Sequence, residues 1–131
     1  MKIKKFEDLL VWQKAVELTV DLYACLEKVN DFGFKNQIQR ASLSISNNLA
    51  EGFERGSDRD FKRFLFIAQG SCSVVKSMLY VGVRLKYIRT DSYIELNQRV
   101  VEIGKMLFGL SNSLSDGYSR KFRSSTIDSD Y

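Results

Sequence analysis

The side chains best suited to chemistry fall into two polar lines. The first is Arg40, Ser44, Asn47 and Glu51, spaced four, three and four, with Ser42, Ser46 and Asn48 close by. Hydroxyls and an arginine on one helix face would suit an active-site wall, but a serine nucleophile needs a base to take its proton. The chain contains no histidine, which removes Ser-His-Asp and Cys-His nucleophile systems, His-bearing zinc sites and Glu-x-x-His di-iron sites together. Arg40 and Glu51 share a face yet stand about three turns apart, too far to pair along a helix. Serine and asparagine are unfavourable in helix interiors. The stripe Arg40, Ser44, Asn47, Asn48 and Glu51 is therefore expected to meet specific partners on a neighbouring helix or subunit. No catalytic residue, metal or cofactor is expected, and the protein reads as non-enzymatic.

The second line is Arg59, Arg63, Phe66, Gly70, Ser73, Ser77, Tyr80 and Arg84, alternating steps of four and three. It lies in the basic part of the chain. Between Ser57 and Arg89 stand Arg59, Lys62, Arg63, Lys76, Arg84, Lys86 and Arg89 against Asp58 and Asp60, a net +5. The stretch from Phe6 to Val29 sets Lys14 and Lys28 against Glu7, Asp8, Glu17, Asp21 and Glu27, a net −3. Cations neutralise phosphates with counterion release, and aromatic rings stack on unpaired bases. Arg59, Lys62, Arg63 and Arg84 are the candidate phosphate contacts and Tyr80 the candidate stacking residue for RNA or DNA. A solvated charged face or a track of small residues for close helix packing accounts for the same pattern.

These lines need long helices to carry them. The chain has 131 residues, no proline and eight glycines, with 44% hydrophobic and 27% charged residues, which fits one globular domain. Helices are expected from about Phe6 to Val29, Phe34 to Glu54, Ser57 to Arg89 and Asp91 to Leu114. Asn30-Asp31-Phe32-Gly33 and Arg55-Gly56-Ser57 act as breaks. Ser57 with Asp60 forms an S-x-x-D capping box, and Thr90-Asp91 is the expected cap of the last helix. Short connections favour an all-α, up-down-up-down four-helix bundle over residues 1–114. Residues 115–131, rich in serine and charge, are expected to form a flexible tail.

Two helices carry more apolar surface than one contact face requires. The first has one row through Leu9, Trp12, Val16, Thr19, Tyr23 and Leu26, and another through Val11, Ala15, Leu18, Leu22, Cys25 and Val29. The third has Phe61, Leu65, Ala68, Cys72, Val75, Leu79 and Gly82, then Ile67, Ser71, Val74, Met78, Val81, Leu85 and Ile88. One row closes a bundle, and a second left in water points to a homo-oligomer. A thick core that uses both rows is the competing explanation.

The net charge is +4 and the sequence pI about 9.1, a mild lean toward anionic partners. Cys25 and Cys72 lack C-x-x-C spacing and read as reduced thiols. Lys2, Lys4 and Lys5 resemble a signal n-region, but Glu7, Asp8, Gln13 and Lys14 interrupt the apolar run that would follow. No stretch is expected to span a membrane. The expected compartment is the cytoplasm.

The run Arg40-Ala41-Ser42-Leu43-Ser44-Ile45-Ser46-Asn47-Asn48-Leu49-Ala50-Glu51-Gly52-Phe53 closely resembles the signature of four-helix-bundle proteins encoded by intervening sequences in large-subunit ribosomal RNA genes. Phe6, Leu9 and Trp12-Gln13-Lys14-Ala15 upstream fit the same family, as do Phe61, Phe64-Leu65, Ala68 and Gly70-Ser71 downstream. The resemblance covers about Phe6 to Leu114. It implies a homopentameric barrel of helical bundles without known catalytic activity. It also implies a distant similarity to the accessory variability determinant of diversity-generating retroelements, which binds nucleic acid and a reverse transcriptase. The chain departs from the family in carrying Val74-Val75-Lys76, where an acidic residue and leucine are usual, and in lacking the proline between the first two helices. The expectation is an oligomeric, non-enzymatic nucleic-acid-binding accessory protein. The alternative is a scaffold that holds a larger enzyme without touching nucleic acid.

Overall fold

The computed structural model describes residues 3–115. They form a single-turn 3-10 helix, Phe6–Asp8, and four α-helices: α1 Leu10–Cys25, α2 Phe32–Glu54, α3 Asp58–Arg84 and α4 Thr90–Asn112. The packing neighbours are α1 with α2, α2 with α3, α3 with α4, and α4 with α1, so α1 and α3 lie on a diagonal. Cross-helix pairs fix the directions. Gly52 lies against Phe64, Ser44 meets Ser71 and Gly82 lies against Phe34, which makes α2 and α3 antiparallel. Lys14 meets Glu102 and Asp21 meets Arg99, which does the same for α1 and α4. At one end Asp58, at the start of α3, accepts the Ser115 amide beyond α4 at 3.1 Å. The expected up-down-up-down bundle is the observed one. The expected tail beyond Ser115 lies outside the described residues.

The Ser57 cap starts α3 as expected, whereas α2 starts at Phe32, two residues before the expected Phe34, because Asp31 caps it. Ser57 Oγ accepts the Asp60 amide and Asp31 Oδ1 accepts the Phe34 amide, each satisfying one of the free donors of a first turn. Elsewhere the boundaries differ from expectation. The first helix is not continuous from Phe6: Leu9 is extended, and α1 begins after it without a side-chain cap. It also ends at Cys25, because the turns that follow tighten to shorter bonds, Glu27 to Ala24 and Val29 to Leu26. α4 starts at Thr90 with Arg89 as its cap residue and no side-chain cap bond. Asp91 instead takes the guanidinium of Arg89 at 3.2 and 3.3 Å.

The largest difference is the end of α3, at Arg84 and not Arg89. Lys86 takes the left-handed conformation, with φ 65°. Its amide bonds to the Val83 carbonyl and that of Tyr87 to the Gly82 carbonyl, the paired bonds of a Schellman C-terminus. The position usually belongs to glycine, so a lysine there gives no stop signal. Gly82 permits the closure that follows: a Cβ on it would lie 2.7 Å from Ile88 Cδ1 and 3.0 Å from Phe34 Cζ.

The core runs the length of the bundle and includes Leu18, Leu22, Ile38, Ile45, Leu49, Phe61, Leu65, Leu79, Ile103 and Leu107, all fully buried. On α1 most of both apolar rows is covered, as a thick core would do, although Tyr23 is exposed. α3 differs. Its first row is buried throughout, while Ile67, Val74, Val81 and Leu85 of the second are exposed. By length and composition α3 is apolar enough to cross a membrane, contrary to the expectation that no stretch would be. Its inner row supplies the bundle core, and its outer face carries Arg59, Arg63 and Arg84.

Candidate nucleic-acid interface

The helical period that places Phe61 through Gly82 inward puts the line Arg59, Arg63, Phe66, Gly70, Ser73, Ser77, Tyr80 and Arg84 outward, and every member is exposed. Lys62, beside it, is half-buried. Phe66 is 75% exposed and Tyr80 52%, so two aromatic rings stand in solvent among cations. The Arg84 guanidinium donates to Tyr80 Oη at 3.1 Å and sits 5.9 Å from its ring centre, which ties cation and ring together. Arg63 pairs loosely with Asp60 at 3.6 Å.

Near the start of α3 the structure adds a group that the line alone does not include. Two guanidiniums lie over the Phe64 ring, Arg55 at 5.0 Å and Arg63 at 4.9 Å from its centre. Arg55 follows α2 and is held by Glu51 at 3.1 Å. An arginine held over a ring keeps its charge while the contact restrains its side chain. The close approach of α2 makes this arrangement possible, since a Cβ on Gly52 would sit 2.6 Å from Phe64 Cβ. Spacing along one helix carries no sign of Arg55, because it arrives from the preceding element.

The polar stripe on α2 divides into two parts. Ser44 Oγ accepts the Ser71 hydroxyl at 2.8 Å and the Asn48 amide at 2.9 Å, while Asn48 also donates to the Ser44 carbonyl at 2.7 Å. These groups tie α2 to α3. Ser42 and Thr19, both buried, share a 2.6 Å hydrogen bond between α1 and α2. Ser44 and Ser42 thus find partners on neighbouring helices, whereas both Asn48 bonds stay within α2. Arg40, Asn47 and Glu51 remain on the exposed side of the stripe.

Neither cysteine is an activated nucleophile. Burial pushes the Cys72 thiol up to about 12 and raises Cys25 as well, so both stay protonated and unreactive near neutral pH. Among the described residues no cluster of three or more Cys, Asp or Glu side chains is placed to hold a metal ion.

An antiparallel bundle with one basic, partly apolar outer helix defines an all-α four-helix-bundle protein. The chain belongs to the 23S rRNA-intervening sequence protein family, whose model matches residues 7–109 and so includes both polar lines. It is similar to the crystal structure of a protein of unknown function from the S23 ribosomal protein family of Bacteroides thetaiotaomicron, with 28% sequence identity and a TM-score of 0.73. That match covers 78% of this chain and 98% of the other. No functionally curated protein matches the chain. The family read from the Arg40-to-Phe53 run is the family found.

Proposed function

We propose that this protein is a non-enzymatic, oligomeric bundle that binds RNA or DNA electrostatically, with little sequence reading, as an accessory factor in the cytoplasm. The observation that carries this reading is the outer face of α3, where Arg59, Arg63 and Arg84 are exposed in line with the rings of Phe66 and Tyr80. Cations on such a ridge contact the phosphate backbone, and exposed rings stack on bases irrespective of sequence. Lys62 and Arg55, held over the Phe64 ring, extend the positive surface. Titration of a labelled single strand at 50 and 200 mM salt tests it. Affinity should fall steeply with salt, and absence of binding at low salt rejects the proposal.

A scaffold reading is favoured by a different observation. Ile67, Val74, Val81 and Leu85 form an exposed apolar row on α3, and the Ser44–Ser71 contact joins that helix to the Arg40, Asn47 and Glu51 stripe. Such a surface suits another copy, as in a pentamer, or a larger partner enzyme such as a reverse transcriptase. Arg59→Glu with Arg63→Glu separates the readings: a scaffold retains its partner, whereas the nucleic-acid binder loses its ligand.

A further inference from the structure

The outer face of α3 does not end at its own edge. Between residues 69–76 of α3 and 100–108 of α4 the surface sinks into an open groove of about 420 Å³. Buried Val100 lies at its base beside Gly104, where a Cβ would meet nothing within 4 Å. Gln69 and Ser73 bring an amide and a hydroxyl to the α3 wall, and Lys76, Lys105 and Phe108, all exposed, line it as well. Phe108 is 61% exposed, and neither lysine belongs to an ion pair among the described residues.

A mostly apolar recess lined by a few polar groups and two exposed lysines suits a flat, partly polar ligand that carries negative charge outside the recess. We propose that the groove receives one unpaired nucleobase of a single strand, with Phe108 against the base face and Lys76 and Lys105 on the flanking phosphates. The proposal deepens the nucleic-acid reading above and rests on it. Ser73 Oγ donates to the Gln69 carbonyl at 3.4 Å, which leaves its lone pairs to accept from the base edge. The Gln69 side-chain amide supplies both a donor and an acceptor. Ser73 also belongs to the Arg59-to-Arg84 line, so the groove opens directly off the cationic ridge. A strand running along α3 turns one base sideways into it. A base held in a duplex has no free face to offer, so single strands are selected over duplexes.

Fluorescence anisotropy with a labelled single-stranded RNA and a duplex of equal length tests the assignment. The proteins are the full chain and its Phe108→Ala, Gly104→Leu and Arg59→Glu/Arg63→Glu variants. Gly104→Leu fills the recess from a position open to it, and Phe108→Ala shortens an exposed ring. Circular dichroism melting checks that both keep the fold. The expected result is single-strand binding at least tenfold tighter than duplex binding. Each groove variant should weaken single-strand binding about fivefold or more and leave duplex binding unchanged. Equal affinity for both nucleic acids, or single-strand binding untouched by both groove variants, overturns the groove proposal. If those variants are silent while the arginine variant abolishes binding, the ridge reading stands and the groove alone fails. No binding by the unaltered chain overturns both.

Discussion

Lys86 occupies a backbone conformation that costs an L-residue about 1–2 kcal/mol relative to right-handed helix, and it does so to end α3 with two Schellman bonds. Glycine meets the same geometry without the Cβ conflict, so Lys86→Gly should stabilise the fold by up to ~1 kcal/mol. Thermal unfolding should show a midpoint raised by about 3–6 °C; a lowered midpoint would contradict the account of the α3 terminus. A second residue-scale effect involves protons. Asp31 accepts the Phe34 amide at 3.1 Å and the Tyr87 hydroxyl at 2.8 Å, and these bonds, led by the amide, hold its carboxyl below the usual range. A lowered folded-state value means that the anion stabilises the fold. The contribution is complete above the unfolded value of about 4 and is lost as pH falls through the lower folded value. Between pH 7 and pH 3 the urea midpoint of Asp31→Asn should drop less than that of the unaltered chain.

At the scale of elements, α2 and α3 approach closely at Gly52. An alanine there gains about 1 kcal/mol of helix propensity, but its Cβ falls 2.6 Å from Phe64 Cβ and 3.0 Å from Phe61 Cδ1. Overpacking of this kind costs about 1–3 kcal/mol, and both neighbours belong to packed rings. Gly52→Ala should therefore destabilise the bundle in urea unfolding despite the better helix former, and a stabilised variant would show that the helices part freely. This approach also explains what was legible in the chain. Ser57 announces the start of α3 because a short oxygen-bearing side chain is the capping group itself, whereas Asp31 caps α2 from within a run that reads as a break. Leu9, Arg89 and Lys86 mark boundaries through backbone geometry, which their side chains do not signal. The α3 ridge was readable because one helix's period sets which residues share a face. The Arg55–Phe64–Arg63 cluster and the groove between α3 and α4 were not, since each is made by two elements that long-range packing brings together. The serines of α2 stood between these cases: their cost in a helix signalled partners, and only the fold identified them as Thr19 and Ser71.

For the whole molecule, the question is what covers α3. Its inner row completes the core, yet Ile67, Val74, Val81 and Leu85 stay exposed on the outer side, a continuous apolar strip of a kind that lone soluble domains seldom leave in water. The basic α3 lies diagonally across the bundle from α1, and the Phe6-to-Val29 stretch that contains α1 carries a net −3, so the two sides of the bundle differ in charge. That distribution favours contacts in which one copy's front meets another's back, a heterologous geometry that gives a ring where its rotation closes and a filament where it does not. Light scattering at increasing concentration should accordingly give a mass several times the 15.1 kDa of one chain. Two charges placed on the strip, in Val74→Glu with Val81→Glu, should reduce it to a single chain without unfolding, because both side chains are already exposed. If the unaltered chain is itself monomeric at high concentration, the strip belongs to another partner. If the double variant keeps the full mass, subunits meet through a different face and α3 stays open to nucleic acid in the assembly. The strip and the Arg59-to-Arg84 ridge share one helix, so loss of subunits with retained single-strand binding would show that assembly and ligand use separate sides of α3.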